Sequence, residues 1–341
     1  MLTPEQQLAM VAQAARAPSA HNIQPARWHF AGERILLLED PARWLSVGDP
    51  TGRDNRIALG MAWEGMALAL STLGFSLSPP EVEVLPYPPA AAGSRVAATG
   101  QLRPGASVAS VDPLAAACEQ RRAWRGLFAP ADAAQLAAME QCIAAHAPVA
   151  VATEPASTAQ IASWHDDAAA AAFHDPAFAR ELYHWMRLSP RATGWTRDGL
   201  SAECMALSRW EAMAASVALR PTVVRMLASL SLTGLLAAEA AKVNSAARIV
   251  LIHAAHDVTD FEAGRRWYRF WLDMAARGFA GVPMSALSDS PRHAALLTGR
   301  QPLPAGHRLL NVMRFGPVPG AAIPRSARLP AAELLQADAR R

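Results

Sequence analysis

The uninterrupted apolar run Ile35-Leu36-Leu37-Leu38 stands between Gly32 and Asp40-Pro41. Lacking polar alternation, it predicts a strand covered on both faces. Arg248 to Ala254, centred on Ile249-Val250-Leu251-Ile252, predicts a second strand of the same kind. Ahead of the first, Thr3 can cap free amides, Pro4 suits the first helical position and Gln6 can reach back to the cap. A helix from Pro4 to about Arg16 follows.

Each apolar strand precedes a helical segment with one shared spacing, Gly-x2-Trp-x4-Leu-x5-Gly-Phe. The first copy is Gly60, Trp63, Leu68, Gly74 and Phe75; the second is Gly264, Trp267, Leu272, Gly278 and Phe279. Two apolar helices could agree by chance, but helix propensity does not select Gly and Trp, which favours an internal duplication. Between the copies, Pro79 to Gly105 is rich in Pro, Ala and Gly and predicts an edge strand over Glu81 to Leu85, then a linker where two halves join. The halves are expected at 1–105 and 106–341. Ala115 to Ala147 has a helical pattern that breaks at Ala129-Pro130 and restarts at Asp132. Pro155 to Ala247 is mostly helical, interrupted at Ser189-Pro190, Gly194 and Arg220-Pro221. Its excess over the first half predicts an inserted cap or lid near 155–247.

Composition narrows the function classes. With 341 residues, 52% of them hydrophobic, the chain can bury one large core or two ordinary ones. The 32 basic and 29 acidic residues are spread along the chain, so nucleic acid is not an implied partner. Ten Trp and twelve Met beside three Tyr suit the lining of a large apolar pocket, and equally a packed core. Cys118, Cys142 and Cys204 are widely spaced, and Met1 to Ala20 has no signal-peptide pattern; free thiols in the cytoplasm are expected. The longest uncharged apolar stretch, Met226 to Ala238, is too short for a bilayer span and contains Ser229, Ser231, Thr233 and Gly234, so no membrane segment is expected.

Four segments could carry chemistry. In Ala17-Pro18-Ser19-Ala20-His21-Asn22-Ile23-Gln24-Pro25, two prolines fix the backbone while Ser19, Asn22 and Gln24 offer donors and acceptors to a planar ligand; a turn closing the helix end uses the same residues. Arg121-Arg122-Ala123-Trp124-Arg125 suits phosphate, with Trp124 able to stack on a ring or cover an arginine, and also suits a solvated basic helix end. Pro283-Met284-Ser285-Ala286 falls at a helix-to-loop transition with free amides, and Pro324 to Pro330 adds Arg325 and Arg328 as phosphate ligands. GxGxxG, Walker, GxSxG and HExxH patterns are absent. His253 and His256 lack a third ligand, and no metal site is expected. His165 with Asp166-Asp167 in an Ala-rich helix predicts a solvated face rather than an acid–base pair.

Taken in order, these segments resemble the nitroreductase superfamily, and more closely its internally duplicated Acg-type FMN-binding branch. Ala17 to Pro25 is similar to the A-P-S-x-x-N-x-Q-P element, and Arg121 to Arg125 to the R-R-S-x-R phosphate element. Asp49-Pro50-Thr51-Gly52-Arg53, Trp195 to Gly199 and Ala263 to Pro283 resemble features of the duplicated branch. The resemblance implies an α/β (α+β) nitroreductase-like fold, with two duplicated halves forming a pseudo-dimer around antiparallel-rich sheets covered by helices. It implies one FMN site, drawing Pro18, Ser19, Ala20, Asn22 and Gln24 from the first half. Arg121, Arg122, Ala123, Arg125, Pro283, Met284, Ser285, Arg325 and Arg328 come from the second.

Within that implied site, Arg121 with Arg325 or Arg328 holds the phosphate, Arg125 lies toward the pyrimidine edge, and an amide near Met284 or Ser285 faces the reactive nitrogen. The implied activity is FMN-dependent reduction of a nitro-aromatic, quinone or other conjugated small-molecule acceptor with NAD(P)H-derived electrons. A covered, flavin-sequestering protein and a biosynthetic dehydrogenase are the alternatives. The chain is expected as a monomeric pseudo-dimer or a homodimer of pseudo-dimers. Two departures stand out. Ala123 replaces the usual Ser or Thr, removing a hydroxyl donor worth about 1 kcal/mol. In Gln24-Pro25-Ala26-Arg27-Trp28 the aromatic is displaced by two positions.

Overall fold

The structure, a computed structural model, describes residues 1–90, 93–104, 111–320 and 324–336. The expected cap at Thr3 is present: its hydroxyl accepts from the Gln6 amide and the Gln6 side chain accepts from the Thr3 amide, starting α1 at Pro4–Ala14. Strands β1 (Ala26–Ala31) and β2 (Arg34–Glu39) form a hairpin, and α2 (Arg53–Ser71) follows. Then come β3 (Phe75–Leu77), β4 (Glu81–Val82) and β5 (Arg95–Pro104). The edge strand β4 is shorter than the expected Glu81 to Leu85: the Glu83 amide still donates to the Ala97 carbonyl at 2.9 Å, after which the chain leaves the ladder and Leu85 is buried in the core.

Beyond the first sheet lie α3 (Ala117–Gln120), α4 (Ala133–Ala145) and β6 (Ala150–Ala152). Asp132 closes a capping box with Gln135 at the start of α4. A helical excursion then comprises α5 (Thr158–Ala172), α6 (Pro176–Trp185), the two-residue strands β7 (Met186–Arg187) and β8 (Leu200–Ser201), α7 (Arg209–Ala218), α8 (Pro221–Ser229) and α9 (Ala240–Asn244). The chain returns through β9 (Arg248–Ala255), α10 (Asp260–Ala276), β10 (Ala280–Pro283), α11 (Ser285–Asp289), α12 (Pro291–Arg300), β11 (His307–Gly316) and α13 (Ala331–Leu334). The Asp166 position corrects the solvated-face expectation: α5 packs on α9, His165 is buried, and the Asp166 carboxylate accepts the Glu239 and Ala240 amides at 2.9 and 3.2 Å.

The fold is mixed α/β with antiparallel main sheets. The first is ordered β1-β2-β5-β3, with β4 also on β5; the second is ordered β6-β9-β11-β10. Read along the chain, the two orders are the same, and each contains the strand that precedes a Gly/Trp helix. Helix α2 packs on the first sheet, α10 on the second, and the two helices pack on each other. One cluster of buried apolar side chains, including Trp28, Trp63, Trp267 and Phe315, runs through both parts. Among the described residues, no helix is long and apolar enough to cross a membrane.

The crossing is unusually close. A Cβ on Gly60 would lie 1.9 Å from the Phe261 carbonyl oxygen, and one on Gly264 would lie 2.1 Å from that of Ile57. Each glycine therefore meets the residue three positions before its counterpart, and both contacts are to backbone, which cannot swing aside. Charges flank the seam: Arg56 pairs with Asp260 at 2.9 Å, and buried Glu64 receives Arg265 and Arg269 at 2.9 and 2.8 Å. Gly60→Ala gains about 1 kcal/mol of helix propensity. It overpacks the seam by about 1–3 kcal/mol or more, so a net loss of stability is expected. Urea unfolding measures it, and a midpoint at or above that of the parent would contradict this packing.

Candidate functional site

A cavity of about 330 Å³ lies where the 18–22 loop, α2, residues 121–125, the β10–α11 junction and residues 324–328 meet. It is lined by Pro18, Ser19, Ala20, Asn22, Arg121, Arg122, Ala123, Arg125, Pro283, Ser285, Arg325 and Arg328. Four segments separated by up to about three hundred positions thus converge as a group. Gln24 and Met284 are outside the lining. Gln24 is buried behind the loop, where it donates to the Arg197 carbonyl at 2.9 Å and accepts the Leu329 amide at 2.8 Å. Met284 packs with Leu287, Leu297 and Val312, and its amide donates to the Val312 carbonyl at 2.7 Å, so of the two candidate amides that of Met284 is already paired.

The loop has a demanding backbone. His21, Asn22 and Gln24 adopt φ of 45°, 58° and 54°, in the left-handed region that costs a non-glycine residue on the order of 1 kcal/mol or more. Internal bonds hold it. Ser19 Oγ accepts the Gln24 amide at 2.9 Å, and Asn22 Nδ2 donates to the Gly199 and Ala327 carbonyls at 3.1 and 3.0 Å. Asn22 Oδ1 accepts from Arg328 at 2.8 Å. The Asn22 amide group is therefore committed to the protein, and its contribution to the cavity is shape.

Backbone pairing sets the arginines. Ala123 bridges Gly281 on the free edge of β10, fixing the extended 121–125 segment against the second sheet. Arg121 and Arg328 both donate to the Arg16 carbonyl, at 2.9 and 3.2 Å, and Arg328 also reaches Ala15 at 2.5 Å. These carbonyls are the negative end of α1. The Arg121 guanidinium also lies 4.6 Å from the Trp271 ring centroid. Arg122 donates to the Glu119 and Arg121 carbonyls at 2.6 and 2.8 Å, and Arg125 to the Cys204 carbonyl at 3.3 Å. Trp124 turns away, donating its indole N–H to the Leu127 carbonyl at 2.7 Å.

This set has little counter-charge. Glu119 pairs with Arg16 at 2.5 Å and with Arg325 at 3.1 Å. Among the described residues, Arg121, Arg122, Arg125 and Arg328 form no ion pair with a carboxylate. Burial, with Arg121 nearby, pushes the Arg328 guanidinium down to about 9; burial also lowers Arg125, and burial with Arg325 lowers Arg122. Arg121 Nε and His21 Nδ1 are buried without a hydrogen-bond partner. An anion in the cavity would relieve the repulsion and could accept from the unpaired Arg121 Nε–H.

Several lining residues were not named as site residues from the sequence. Ile57, Ala58 and Met61 of α2 and Trp271 of α10 make an apolar wall with Trp267, which was named only as a repeat position; Phe178, Leu200 and Met205 come from the helical excursion. Trp271, four residues beyond Trp267, could have been found from helical spacing. Asn311 donates to the Ser285 hydroxyl at 3.0 Å. Asp54 and Asp289 also line the cavity, joined through Arg53 at 2.9 Å each, and burial with Asp54 pushes Asp289 up to about 7. No local pattern marks these last three.

No family model matches the chain. A 62-residue stretch is 39% identical to two Mycobacterium tuberculosis proteins, from strains CDC 1551 / Oshkosh and ATCC 25618 / H37Rv, both provisionally named NAD(P)H nitroreductases. The similarity is to nitroreductases. It spans 18% of this chain and 18% of each relative, less than a fifth of either length. Among solved structures, the FMN-dependent nitroreductase NfnB from Mycobacterium smegmatis, in complex with NADPH, aligns at 20% identity with a TM-score of 0.32, over 63% of this chain and 96% of its own. A nitroreductase-like family protein from Bacillus cereus aligns at 12% identity with a TM-score of 0.32, over 68% of this chain and all of its own.

Burial, aided by Arg125, pushes His21 down to about 4, so its ring is neutral near pH 7. Between the ordinary value near 6.5 and about 4, the unfolded chain binds more protons at this position, so stability falls as pH falls through that window. His21→Asn keeps a residue that tolerates the left-handed backbone and removes this titration. Urea unfolding at pH 7 and pH 4.5 is expected to show a smaller acid loss in the variant, by on the order of 2 kcal/mol. Equal losses would contradict the burial of a neutral His21.

Proposed function

We propose that the chain is an internally duplicated, FMN-dependent oxidoreductase of nitroreductase type. The observation that carries this is a group of guanidiniums with little carboxylate counter-charge on one side of a cavity that also has an apolar, aromatic wall from α2 and α10. A ligand with a doubly charged phosphate and a flat ring system satisfies both parts. Duplication is supported by the matching strand orders and by the reciprocal Gly60 and Gly264 contacts.

Bound FMN would supply the hydride or electron transfer chemistry. The residues of the chain bind and orient. Arg121, Arg122, Arg325 and Arg328 hold the phosphate, while Arg125 favours negative charge at the pyrimidine edge. The 18–22 loop supplies a rigid wall, and the Ser285 amide and hydroxyl donate toward the ring, the hydroxyl oxygen being held by Asn311. The electron donor is NAD(P)H, and the acceptor a nitro-aromatic, quinone or other conjugated small molecule. Such a chain works in the cytoplasm, as a monomeric pseudo-dimer or a homodimer of pseudo-dimers.

A second reading, a flavin-sequestering protein, draws on the helical excursion. Phe178, Leu200 and Met205 line the cavity, and the excursion is fastened to the loop side by Gln24 to the Arg197 carbonyl at 2.9 Å and by Arg43 to Asp198 at 3.1 Å. Anaerobic addition of NADH or NADPH to the FMN-loaded protein separates the two. Rapid bleaching of the flavin bands is expected for the reductase, and persistent bands would favour sequestration.

Arg122→Ala with Arg325→Ala removes two guanidiniums without cutting the ties to α1. FMN affinity, followed by fluorescence quenching, is expected to fall at least about tenfold. Unchanged affinity would contradict the phosphate assignment.

A further inference from the structure

We propose that Cys142, His146 and Asp273 form a binding site for a zinc-type divalent cation, independent of the flavin assignment. Cys142 and His146 are four residues apart at the end of α4, which places them on one helix face. Asp273 faces them from α10. One sulfur, one ring nitrogen and one carboxylate oxygen, brought from two helices, all lie within 4.8 Å of one another.

The chemistry of the donors is selective. A thiolate, an imidazole and a carboxylate match zinc, whereas magnesium and calcium take oxygen ligands. His146 Nε2 lies 3.2 Å from Asp273 Oδ2, the separation of neighbouring ligands around one small cation. The other carboxylate oxygen, Oδ1, receives Arg277 Nε at 3.0 Å, which fixes the carboxylate orientation; the same guanidinium borders the Cys142 thiol and has to swing toward solvent when a cation enters. The His146 ring packs edge-on against Phe270, 5.5 Å between centroids, so its direction is held as well.

Cys142 is fully buried, whereas His146 and Asp273 reach the surface. A cation can therefore reach the cluster from solvent, and water would complete its coordination. Binding exchanges the thiol proton for a sulfur–metal bond, and the proton leaves to solvent through the same opening. Because Asp273 follows Trp271 by two residues on α10, the cation would tie α4 to the helix that lines the flavin-sized cavity. Its role is to fasten that helix, with no part in electron transfer.

The test uses the full chain, stripped with a chelator, dialysed and titrated with zinc chloride by calorimetry. X-ray absorption at the zinc edge follows. One zinc per chain is expected, with a sulfur neighbour at about 2.3 Å and nitrogen or oxygen neighbours at about 2.0–2.2 Å. His146→Gln, at a partly exposed position, is expected to weaken binding at least about tenfold, as is Cys142→Ser. Should the buried Cys142→Ser variant misfold, the sulfur neighbour in the parent and the His146→Gln titration decide. Absence of stoichiometric zinc, absence of the sulfur neighbour, or unchanged affinity in His146→Gln would overturn the proposal.

Discussion

Backbone-to-backbone contact at the α2–α10 crossing is the constraint on which the rest depends. Only glycine lets a helix approach within the distances seen at Gly60 and Gly264, and the reciprocal contacts set both the angle and the register of the two helices. With that register, Trp63 and Phe261 meet at 6.3 Å across the seam, and Arg56 and Glu64 find partners on the opposite helix. Each helix holds its own sheet, so fixing the helices fixes the sheets.

The cavity is a consequence of the same seam. Ile57 and Met61 approach it from α2, Trp267 and Trp271 from α10, and Trp271 in turn supports Arg121. The chain ends complete it: residues 324–336 return beside the first strand, where Gln336 donates to the Trp28 carbonyl at 2.7 Å and Arg328 reaches the end of α1. This positions like charges close together before any ligand arrives. A preformed electropositive wall of this kind binds an anion without reorganising at the moment of binding.

Features encoded by neighbouring residues were legible in the sequence. The Thr3 and Asp132 caps, the apolar runs of β2 and β9 and the repeated Gly and Trp of α2 and α10 are all local signals. The convergence of four short segments was foreseen from family resemblance, since none of them alone excluded a turn or a solvated helix end. Side-chain direction was not legible. Gln24 and Met284 sit among residues that line the cavity yet point elsewhere, Asn22 is committed to carbonyls at 199 and 327, and Asp166 caps a helix more than seventy positions away. The partner of Cys142 and His146 is likewise far off, at Asp273. Such pairings arise only after distant elements pack.

A crystal structure of the chain grown with FMN tests the central claim most directly. The account predicts the phosphate within hydrogen-bond distance of Arg121, Arg122 or Arg328 and the ring between the 18–22 loop and Ser285. FMN bound elsewhere, or a cavity filled by water while FMN was present in excess, would contradict it.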